Sequence, residues 1–439
     1  MKPKFYSRLW GIALFIPLLI QANAQEQLDE TYTWDFDVNP NAKIVLANYD
    51  CDMQITTSET NKVQLELNLQ AESISDEDMQ TLVDFMDGLD FNASADRVEL
   101  STKIYRKMNS IHLGVASKID VLLLNGEKVK LKKFKVKAAL KLPDDARFEF
   151  QSKYSKIFMD NIMELTLNSY DDKIYGKDVL LPSKIQSKYS DLEFNNMNNI
   201  TMSLYDDNFT AAKTGHLKIE SKYTNFEIEE AGNIQIVGYD DNMNFVRTGN
   251  ISLKTKYTKL SAEKAGTLLL DIYDSNIEIS KITDLSISNS KYSKYIFNEL
   301  NDVKVVKSYD DHFELGETNS LKVNESKYTK YIIDLLKVGA RLTGYDDDLH
   351  IDRAETSFKY LDVDEKYGNI KISIPVQLAL KIDSKTKYGK LNFEESDFET
   401  RVRIKDGSEQ EYIGFRGSES EGMPYIIIRG YDVSLSLNQ

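Results

Sequence analysis

The chain contains a single cysteine, Cys51, among its 439 residues. One thiol cannot form an internal disulfide. The fold must therefore be stabilised by buried apolar area and by backbone hydrogen bonds. In an exported protein of this size, the lack of disulfides fits a bacterial envelope better than a eukaryotic secretory route.

Long apolar runs are also scarce. Residues 9–20 form a run that is too short for a comfortable membrane span, and three basic residues precede it. Residues 22–24 read Ala-Asn-Ala, which is typical of a cleavage site. Residues 1–24 are therefore predicted to be a secretory signal peptide, with the mature chain beginning at Gln25; an uncleaved anchor is the alternative. No membrane span is predicted after signal removal, so we expect a protein of the periplasm, of the cell surface or secreted.

Basic residues are fewer than acidic residues. Lys and Arg number 55 against 70 Asp and Glu, giving a formal net charge of −15. An acidic surface disfavours both nucleic acid and anionic lipid as partners. The two signs are mixed along the chain without a long run of either, so no nucleic-acid partner is predicted.

Residues that carry enzyme chemistry are few and scattered. The four histidines, His112, His216, His312 and His350, have no partner at metal-ligand spacing, and none can be assigned to activate Cys51. There is no glycine-rich phosphate loop, no Gly-x-Ser-x-Gly elbow and no His-Glu-x-x-His motif. The sequence predicts no catalytic residue, no cofactor and no metal site, and hence a protein that is not an enzyme.

One short motif, in contrast, is abundant. Residues 221–224 read Ser-Lys-Tyr-Thr, residues 238–241 read Gly-Tyr-Asp-Asp, and variants of the two alternate from about residue 150 to residue 350. Aligned on the residue that opens each motif, successive copies are 17 or 18 residues apart. The aligned residues are Ser152, Ser169, Ser187, Leu204, Ser221, Gly238, Thr255, Ile272, Ser290, Ser308, Ser326 and Gly344.

Apolar residues on both sides of the motif recur at every second position, as Leu217 and Ile219 do before it and Phe226 and Ile228 after it. Two copies of the motif span about 34 residues, which is also the repeat length of helical tetratricopeptide arrays. The alternation of apolar residues at every second position favours strands over such helices. Each motif is then one corner of a coil. A second corner in each coil is predicted at glycines that recur at one spacing: Gly215, Gly232, Gly249 and Gly266.

The predicted fold is all-β: a right-handed parallel β-solenoid with 17–18-residue coils that rise about 4.8 Å each. An N-terminal strand region carries one short helix at residues 75–87, capped by Ser75 and ended by Gly88. The predicted divisions are the signal peptide at 1–24, an N-terminal strand-and-helix capping region at 25–142, solenoid repeats at 143–400 and C-terminal capping strands at 401–439. The last two strands, near 425–429 and 433–437, are expected to cover the open end.

Stacked in register, the corners form two columns. Lys and Tyr alternate in the first column, and Tyr and Asp alternate in the second. Alternation keeps like charges from lying about 4.8 Å apart, and each Lys is expected between two tyrosine rings. These columns set the register of the coils and supply a possible binding face for glycan or for another envelope or surface protein. The face is predicted to contain Lys188, Tyr189, Tyr205, Asp206, Lys222, Tyr223, Tyr239, Asp240, Lys256, Tyr257, Tyr273 and Asp274.

Two other functions remain open. One is a calcium-stabilised binding module with sites at the paired aspartates, although calcium needs six to eight oxygen ligands. The other is a glycan-active β-helix enzyme, although an active site would be a unique departure from the repeat. The paired aspartates are Asp171-Asp172, Asp206-Asp207, Asp240-Asp241, Asp310-Asp311 and Asp346-Asp347-Asp348.

The arrangement resembles the bacterial putative-adhesin family of secreted single-stranded β-solenoids, related in style to the head domains with a Gly-Ile-Asn motif. The features that carry the resemblance are the signal peptide, the strand and corner at residues 44–50, the strand at 137–143 that ends in proline, and Tyr367-Gly368 and Tyr388-Gly389. The Lys-Tyr and Tyr-Asp-Asp corners depart from that family. The resemblance implies surface binding and no catalytic residues.

Overall fold

A computed structural model describes residues 26–73, 75–113 and 116–438, apart from the side chains of residues 26 and 111–117. The predicted signal peptide and Gln25 therefore lie outside the described residues. The chain divides into two compact units between residues 211 and 212. Each unit is described by itself.

Strands make up most of the first unit. They are β1 Glu26–Asp37, β2 Lys43–Tyr49, β3 Asp52–Ser58, β4 Lys62–Ser73, β5 Asn92–Ala93, β6 Arg97–Ser101, β7 Tyr105–Leu113, β8 Ala116–Leu123, β9 Lys128–Leu131, β10 Lys133–Pro143, β11 Arg147–Lys153, β12 Lys156–Met159, β13 Glu164–Tyr170, β14 Lys173–Val179, β15 Ser183–Lys188, β16 Asp191–Met197 and β17 Ile200–Tyr205. β18, Asn208–Thr214, contains the division point.

Stacked parallel coils form the larger part of this unit. β11 pairs with β13 so that Ser152 lies beside Ser169, and β13 pairs with β15 so that Ser169 lies beside Ser187. The strands after the corners, β12, β14 and β16, pair in the same way. The predicted parallel β-solenoid and its register are confirmed, and the right-handed winding stays a prediction.

The N-terminal region adds coils out of chain order. β2 pairs in parallel with β11 on one side and with β6 on the other, which places Asn48 beside Ser152. The coil at residues 43–58 thus precedes the first repeat in space, although Asn48 and Ser152 are 104 residues apart in the chain. β4 pairs antiparallel with β1 and β10, and β7, β8 and β9 form a separate antiparallel sheet.

The predicted helix is present as α1, Asp76–Asp87. The Ser75 hydroxyl caps it by accepting a hydrogen bond of 3.2 Å from the Asp78 N–H. Its buried residues are Met79, Leu82, Phe85 and Met86. Val83, which the helical period places on the same stripe, is half-buried, because the stripe turns toward Phe85.

The second unit is also built of strands. They are β19 Leu217–Lys222, β20 Asn225–Ala231, β21 Ile234–Tyr239, β22 Asn242–Thr248, β23 Ile251–Lys256, β24 Lys259–Lys264, β25 Leu268–Tyr273, β26 Asn276–Lys281, β27 Leu285–Lys291, β28 Lys294–Val305, β29 Ser308–Tyr309, β30 His312–Lys327, β31 Lys330–Tyr345, β32 Asp348–Ala354, β33 Tyr360–Lys366, β34 Asn369–Ser373, β35 Leu380–Lys387, β36 Leu391–Asn392, β37 Glu399–Asp406, β38 Glu409–Arg416, β39 Tyr425–Tyr431 and β40 Ser434–Asn438. A short 3₁₀ turn covers Glu395–Asp397.

The last two strands do not cover an open end. β39 pairs in parallel with β33 on one side and with β35 on the other, so it lies between two coils that precede it in the chain. β40 likewise pairs with β34 and β36. The outer side of β35 is paired instead with β38 of the antiparallel β37–β38 hairpin.

The predicted second corner is formed by stacked glycines in the second unit. The Gly232 N–H donates to the Gly215 carbonyl, Gly249 to Gly232 and Gly266 to Gly249, at 2.9–3.1 Å. The side chain of the next residue crosses this corner, since the Asn233 Oδ1 accepts the Asn250 N–H. A Cβ on Gly249 would lie 2.5 Å from that oxygen. Glycine is therefore required here by close packing.

Candidate binding face: the tyrosine corners

Each corner turns through a residue in the left-handed backbone conformation. This residue has a φ of 48–63° and is an aspartate or a tyrosine. A left-handed aspartate is common, whereas a left-handed tyrosine is an outlier for so bulky a side chain. The residues are Asp50, Tyr154, Asp171, Tyr189, Asp206, Tyr223, Asp240, Tyr257, Asp274, Tyr292, Asp310, Tyr328, Asp346, Tyr367, Tyr388 and Asp432.

Tyrosines of successive coils meet edge to face. In the first unit the ring centroids from Tyr49 to Tyr205 are 5.5–5.6 Å apart. In the second unit the contacts from Tyr223 to Tyr367 are 5.3–5.7 Å, with the rings 75–86° apart. The two predicted columns are thus joined, within each unit, into one zigzag row that we call the tyrosine ladder.

The ladder contains two sets of tyrosines that differ in exposure. The tyrosines in the left-handed position are 42–52% exposed, and we call them the exposed set. The tyrosines one position earlier in alternate coils are half-buried, apart from Tyr431, which is 38% exposed. The exposed set is Tyr154, Tyr189, Tyr223, Tyr257, Tyr292, Tyr328, Tyr367 and Tyr388. The half-buried set is Tyr170, Tyr205, Tyr239, Tyr273, Tyr309 and Tyr345.

The corner lysines contact one ring of the half-buried set. Lys153 Nζ lies 5.7 Å from the Tyr170 ring centroid, and Lys256 Nζ lies 5.9 Å from that of Tyr273. Equivalent contacts join Lys188 to Tyr205 and Lys291 to Tyr309. The strand register places each of these lysines between tyrosines of the two neighbouring coils, as expected, and the close contact of the ammonium group is with one of the two rings.

A network of buried carboxylates holds the inner side of the corner. In the second unit, Asp241 Oδ1 accepts the Thr224 N–H of the neighbouring coil at 2.9 Å. Its Oδ2 accepts the Ser221 hydroxyl at 2.8 Å and the Tyr239 N–H at 3.1 Å. Burial raises the pKa of Asp241 to about 6, while these donors lower it. The carboxylate therefore ties one coil to the next.

The same arrangement recurs at other corners. Asp172 accepts from Ser152 and the Ser155 N–H of the coil before it, and Asp311 does so from Ser290 and the Ser293 N–H. The second aspartate of each pair thus points both oxygens at N–H and O–H donors, an arrangement that suits a structural carboxylate rather than a calcium ligand. Within the described part of the chain, no three His, Cys, Asp or Glu residues group in a way that could hold a metal ion.

All twelve residues that were predicted to form the binding face lie at corners. The lysines, the aspartates and Tyr189, Tyr223 and Tyr257 are exposed, whereas Tyr205, Tyr239 and Tyr273 are half-buried. The sequence pattern placed the two sets in different columns, but it did not predict that they differ in exposure. The sequence did contain a sign of this difference. Aspartate is several-fold enriched in the left-handed region, and it alternates with the exposed tyrosines at the same position of the corner.

His216, His312, His350 and Cys51 take ordinary structural roles. His312 Nε2 lies 2.9 Å from Glu314, His350 Nε2 lies 3.0 Å from Asp352, and His216 Nδ1 accepts the Asn233 N–H. The side chain of His112 lies outside the described residues. Burial raises the pKa of the Cys51 thiol to about 12, which keeps it protonated and unreactive.

The second unit also has an open cleft of about 470 Å³ beside the β37–β38 hairpin. Its lining includes Lys390, Arg403, Lys405, Glu411 and Tyr412. Arg403 is paired with Glu395 at 2.6 Å, and Glu411 with Lys385 at 3.6 Å.

No helix among the described residues has the length and apolar character that crossing a membrane requires.

Comparisons with known proteins add little to this geometry. No family model matches the chain, and no curated protein matches it. Among solved structures, the chain is similar to the crystal structure of a putative cell adhesion protein from Clostridium sporogenes, at 8% identity over 94% of this chain and 100% of that one. The TM-score of 0.16 is too low for this similarity to carry an argument.

Proposed function

We propose that this is an exported, non-enzymatic protein of the cell envelope, in which the corners set the register of the coils and the exposed tyrosines form a multivalent binding face. The observation that carries the proposal is the repetition of large, 42–52% exposed rings along each unit. Repeated weak contacts raise the avidity for a repetitive ligand without any single tight site. A cell-surface glycan or protein is a partner of this kind.

The choice of tyrosine at these corners supports a role beyond folding. Aspartate occupies the same left-handed position in alternate coils, so the turn itself does not need an aromatic ring. A non-glycine residue in this conformation costs about 1–3 kcal/mol. Tyrosine combines an apolar ring with a polar hydroxyl, which is why it is enriched at recognition surfaces.

Binding of the purified protein to intact bacterial cells tests the proposal. The variant Tyr223→Asn/Tyr257→Asn/Tyr292→Asn removes three exposed rings and keeps a residue type that tolerates the left-handed turn. We expect it to lose binding at least tenfold. The matched control Val237→Ser/Leu269→Ser removes exposed apolar side chains from strands of the coils that lie between these tyrosines and should bind as the parent does.

Circular dichroism of both variants checks that the strands are retained. Equal binding by a folded tyrosine variant would leave the ladder with a structural role alone and would contradict the proposal. Export has its own measurement: sequencing of the N-terminus of protein recovered outside the cytoplasm should begin at Gln25.

A further inference from the structure

We propose that the exposed tyrosines of the second unit bind an extended, uncharged β-1,4-linked glycan, with one tyrosine contacting every second sugar ring. The inference rests on the proposed function and names the ligand class of the same face. Its basis is the spacing, the accessibility and the charge of the side chains along the tyrosine ladder.

Accessible ring surface in the ladder recurs every second coil. Tyr223, Tyr257, Tyr292, Tyr328 and Tyr367 are 42–46% exposed. The half-buried tyrosines between them offer less surface, and lysines lie over two of their rings: Lys256 over Tyr273 at 5.9 Å and Lys291 over Tyr309 at 5.7 Å. A ligand that stacks on the ladder therefore meets one open ring for every two coils.

This period selects the geometry of the ligand. Parallel strands lie about 4.8 Å apart, so two coils advance about 9.6 Å. An extended β-strand repeats its side-chain direction every ~6.8 Å and does not match. In a β-1,4-linked chain of sugars, alternate rings are turned over, so the same ring face recurs at every second residue, at a distance close to the two-coil advance.

The charges between the rings favour an uncharged ligand. Each pair of coils contributes one exposed lysine, such as Lys256, and one exposed left-handed aspartate, such as Asp274. These two exposed charges cancel in every repeat, so the exposed corner residues themselves give no net attraction for a polyanion or a polycation. Lysine donors and aspartate acceptors together match the hydroxyl groups of a neutral sugar.

The test is isothermal titration calorimetry of the full chain with defined oligosaccharides. The probes are β-1,4-linked N-acetylglucosamine oligomers of two to eight residues, cellohexaose, and the α-1,4-linked maltohexaose as the control for linkage. We expect affinity for the β-linked oligomers to rise several-fold with each added pair of residues and little with an odd residue. Maltohexaose should bind at least tenfold more weakly than cellohexaose.

Variants test whether the stepwise gain in affinity depends on the exposed tyrosine rings. Tyr257→Asn/Tyr292→Asn should remove the gain beyond the shorter oligomers, whereas Val237→Ser/Leu269→Ser should leave every step in place. Equal affinity for the α-linked and β-linked hexamers, or a smooth rise without steps of two, would overturn the inference.

A proline-rich peptide is the competing ligand, because polyproline II repeats every three residues, about 9.3 Å. Affinity for such peptides that rises in steps of three residues, without glycan binding, would overturn the glycan inference and leave the binding face intact. Loss of cell binding in the tyrosine variants without binding of any oligosaccharide would do the same. If the tyrosine variants retain full binding to cells, the proposed function fails as well.

Discussion

Each left-handed tyrosine has a strained backbone conformation but makes favourable contacts with the rings of neighbouring tyrosines. Tyr257 has a φ of 59°, a conformation that costs a bulky residue about 1–3 kcal/mol. Its ring meets Tyr239 at 5.3 Å and Tyr273 at 5.7 Å, both edge to face. Each such pair contributes about 0.5–1.5 kcal/mol beyond its buried area. The row of rings can therefore offset the backbone strain while leaving part of every exposed ring in solvent.

The buried aspartates give the first prediction. In Asp241→Asn, one carboxylate oxygen becomes an NH₂ group that faces an N–H or O–H donor, either Thr224 or Tyr239 with Ser221. A buried donor without an acceptor costs about 1–3 kcal/mol. We expect the free energy of unfolding to fall by that amount near pH 4, where Asp241 is protonated in the folded state, and to fall by less at pH 7, where the asparagine also removes a buried charge; both are measured as shifts of the urea midpoint.

Asp240→Asn is the matched control. Asp240 precedes Asp241, is exposed and occupies the left-handed position, which asparagine also tolerates. This change should alter the free energy of unfolding by less than about 0.5 kcal/mol. If both variants behave alike, the buried carboxylate does not link the coils.

At the scale of strands and corners, the alternation of Lys-Tyr and Tyr-Asp corners follows space rather than chain order. Residues 366–367 and 387–388 are two successive Lys-Tyr corners. The inserted coil supplies the missing partner, because Tyr431 contacts Tyr367 at 5.5 Å and Tyr388 at 5.3 Å and precedes the left-handed Asp432. In the first unit, Tyr49 and Asp50 lie beside the Lys-Tyr corner of residues 153–154.

The difference between the spatial order of the coils and their order in the chain also shows which features the sequence could predict. The period, the strands and the register of residues 150–350 follow from local alternation and the recurrence of one corner, and pairs such as Ser290 beside Ser308 confirm them. Out-of-order pairing has no local signal, so β39 was expected at the end. The break in corner alternation near residue 387 was a sign of the insertion. Exposure within the ladder depends on the left-handed turn, which spacing alone does not reveal.

The inserted coil gives the second prediction. Deletion of residues 421–439 removes β39 and β40, and with them the partners of β33, β34, β35 and β36. We expect hydrogen exchange to accelerate at the backbone amides of both β33 and β35, since each loses a neighbour. Protection retained in β33 with loss only in β35 would indicate instead that the deleted strands lie at the end of the stack.

The second corner gives the third prediction. In Gly249→Ala, the new Cβ would lie 2.5 Å from Asn233 Oδ1, so the corner must shift. Overpacking of this kind costs about 1–3 kcal/mol, and the urea midpoint should fall accordingly. A double-mutant cycle with Asn233→Ala supplies the control. Removing the clashing oxygen should recover part of the loss, and strict additivity of the two changes would argue against the clash.

At the scale of the whole molecule, the buried acids make stability depend on pH. In the second unit, burial raises the pKa of Asp241 and of Asp347 from 3.8 to about 6. Burial, together with the charge of Asp347, raises the pKa of Glu365 from 4.5 to about 8. Glu365 Oε1 accepts the Asp347 N–H at 2.7 Å, while its buried Oε2 has no partner among the described residues. The ionised form of Glu365 is therefore stabilised by fewer hydrogen bonds than those of Asp241 and Asp347.

The fourth prediction follows from the sign of these shifts. The folded state keeps its protons to higher pH than the unfolded state, so stability from these groups is greatest below about pH 4 and is lost as pH rises to about 6 for the aspartates and to about 8 for Glu365. One pKa unit corresponds to about 1.4 kcal/mol, so the loss is at most about 3 kcal/mol for each aspartate and about 5 kcal/mol for Glu365. The urea midpoint should therefore be lower at pH 8.5 than at pH 5.

Glu365→Gln isolates the upper part of this change. Glutamine resembles the protonated acid and cannot ionise, so the variant should lose little stability between pH 6 and pH 8.5 while keeping the decline between pH 4.5 and pH 6 that belongs to the aspartates. Glu278→Gln is the matched control, because that carboxylate is exposed on β26 of the same unit, and the pH curve should keep its shape. A parent curve that is flat, or that rises, from pH 5 to pH 8.5 would show that the donors around these acids outweigh their burial, and that the corners hold their carboxylates ionised throughout.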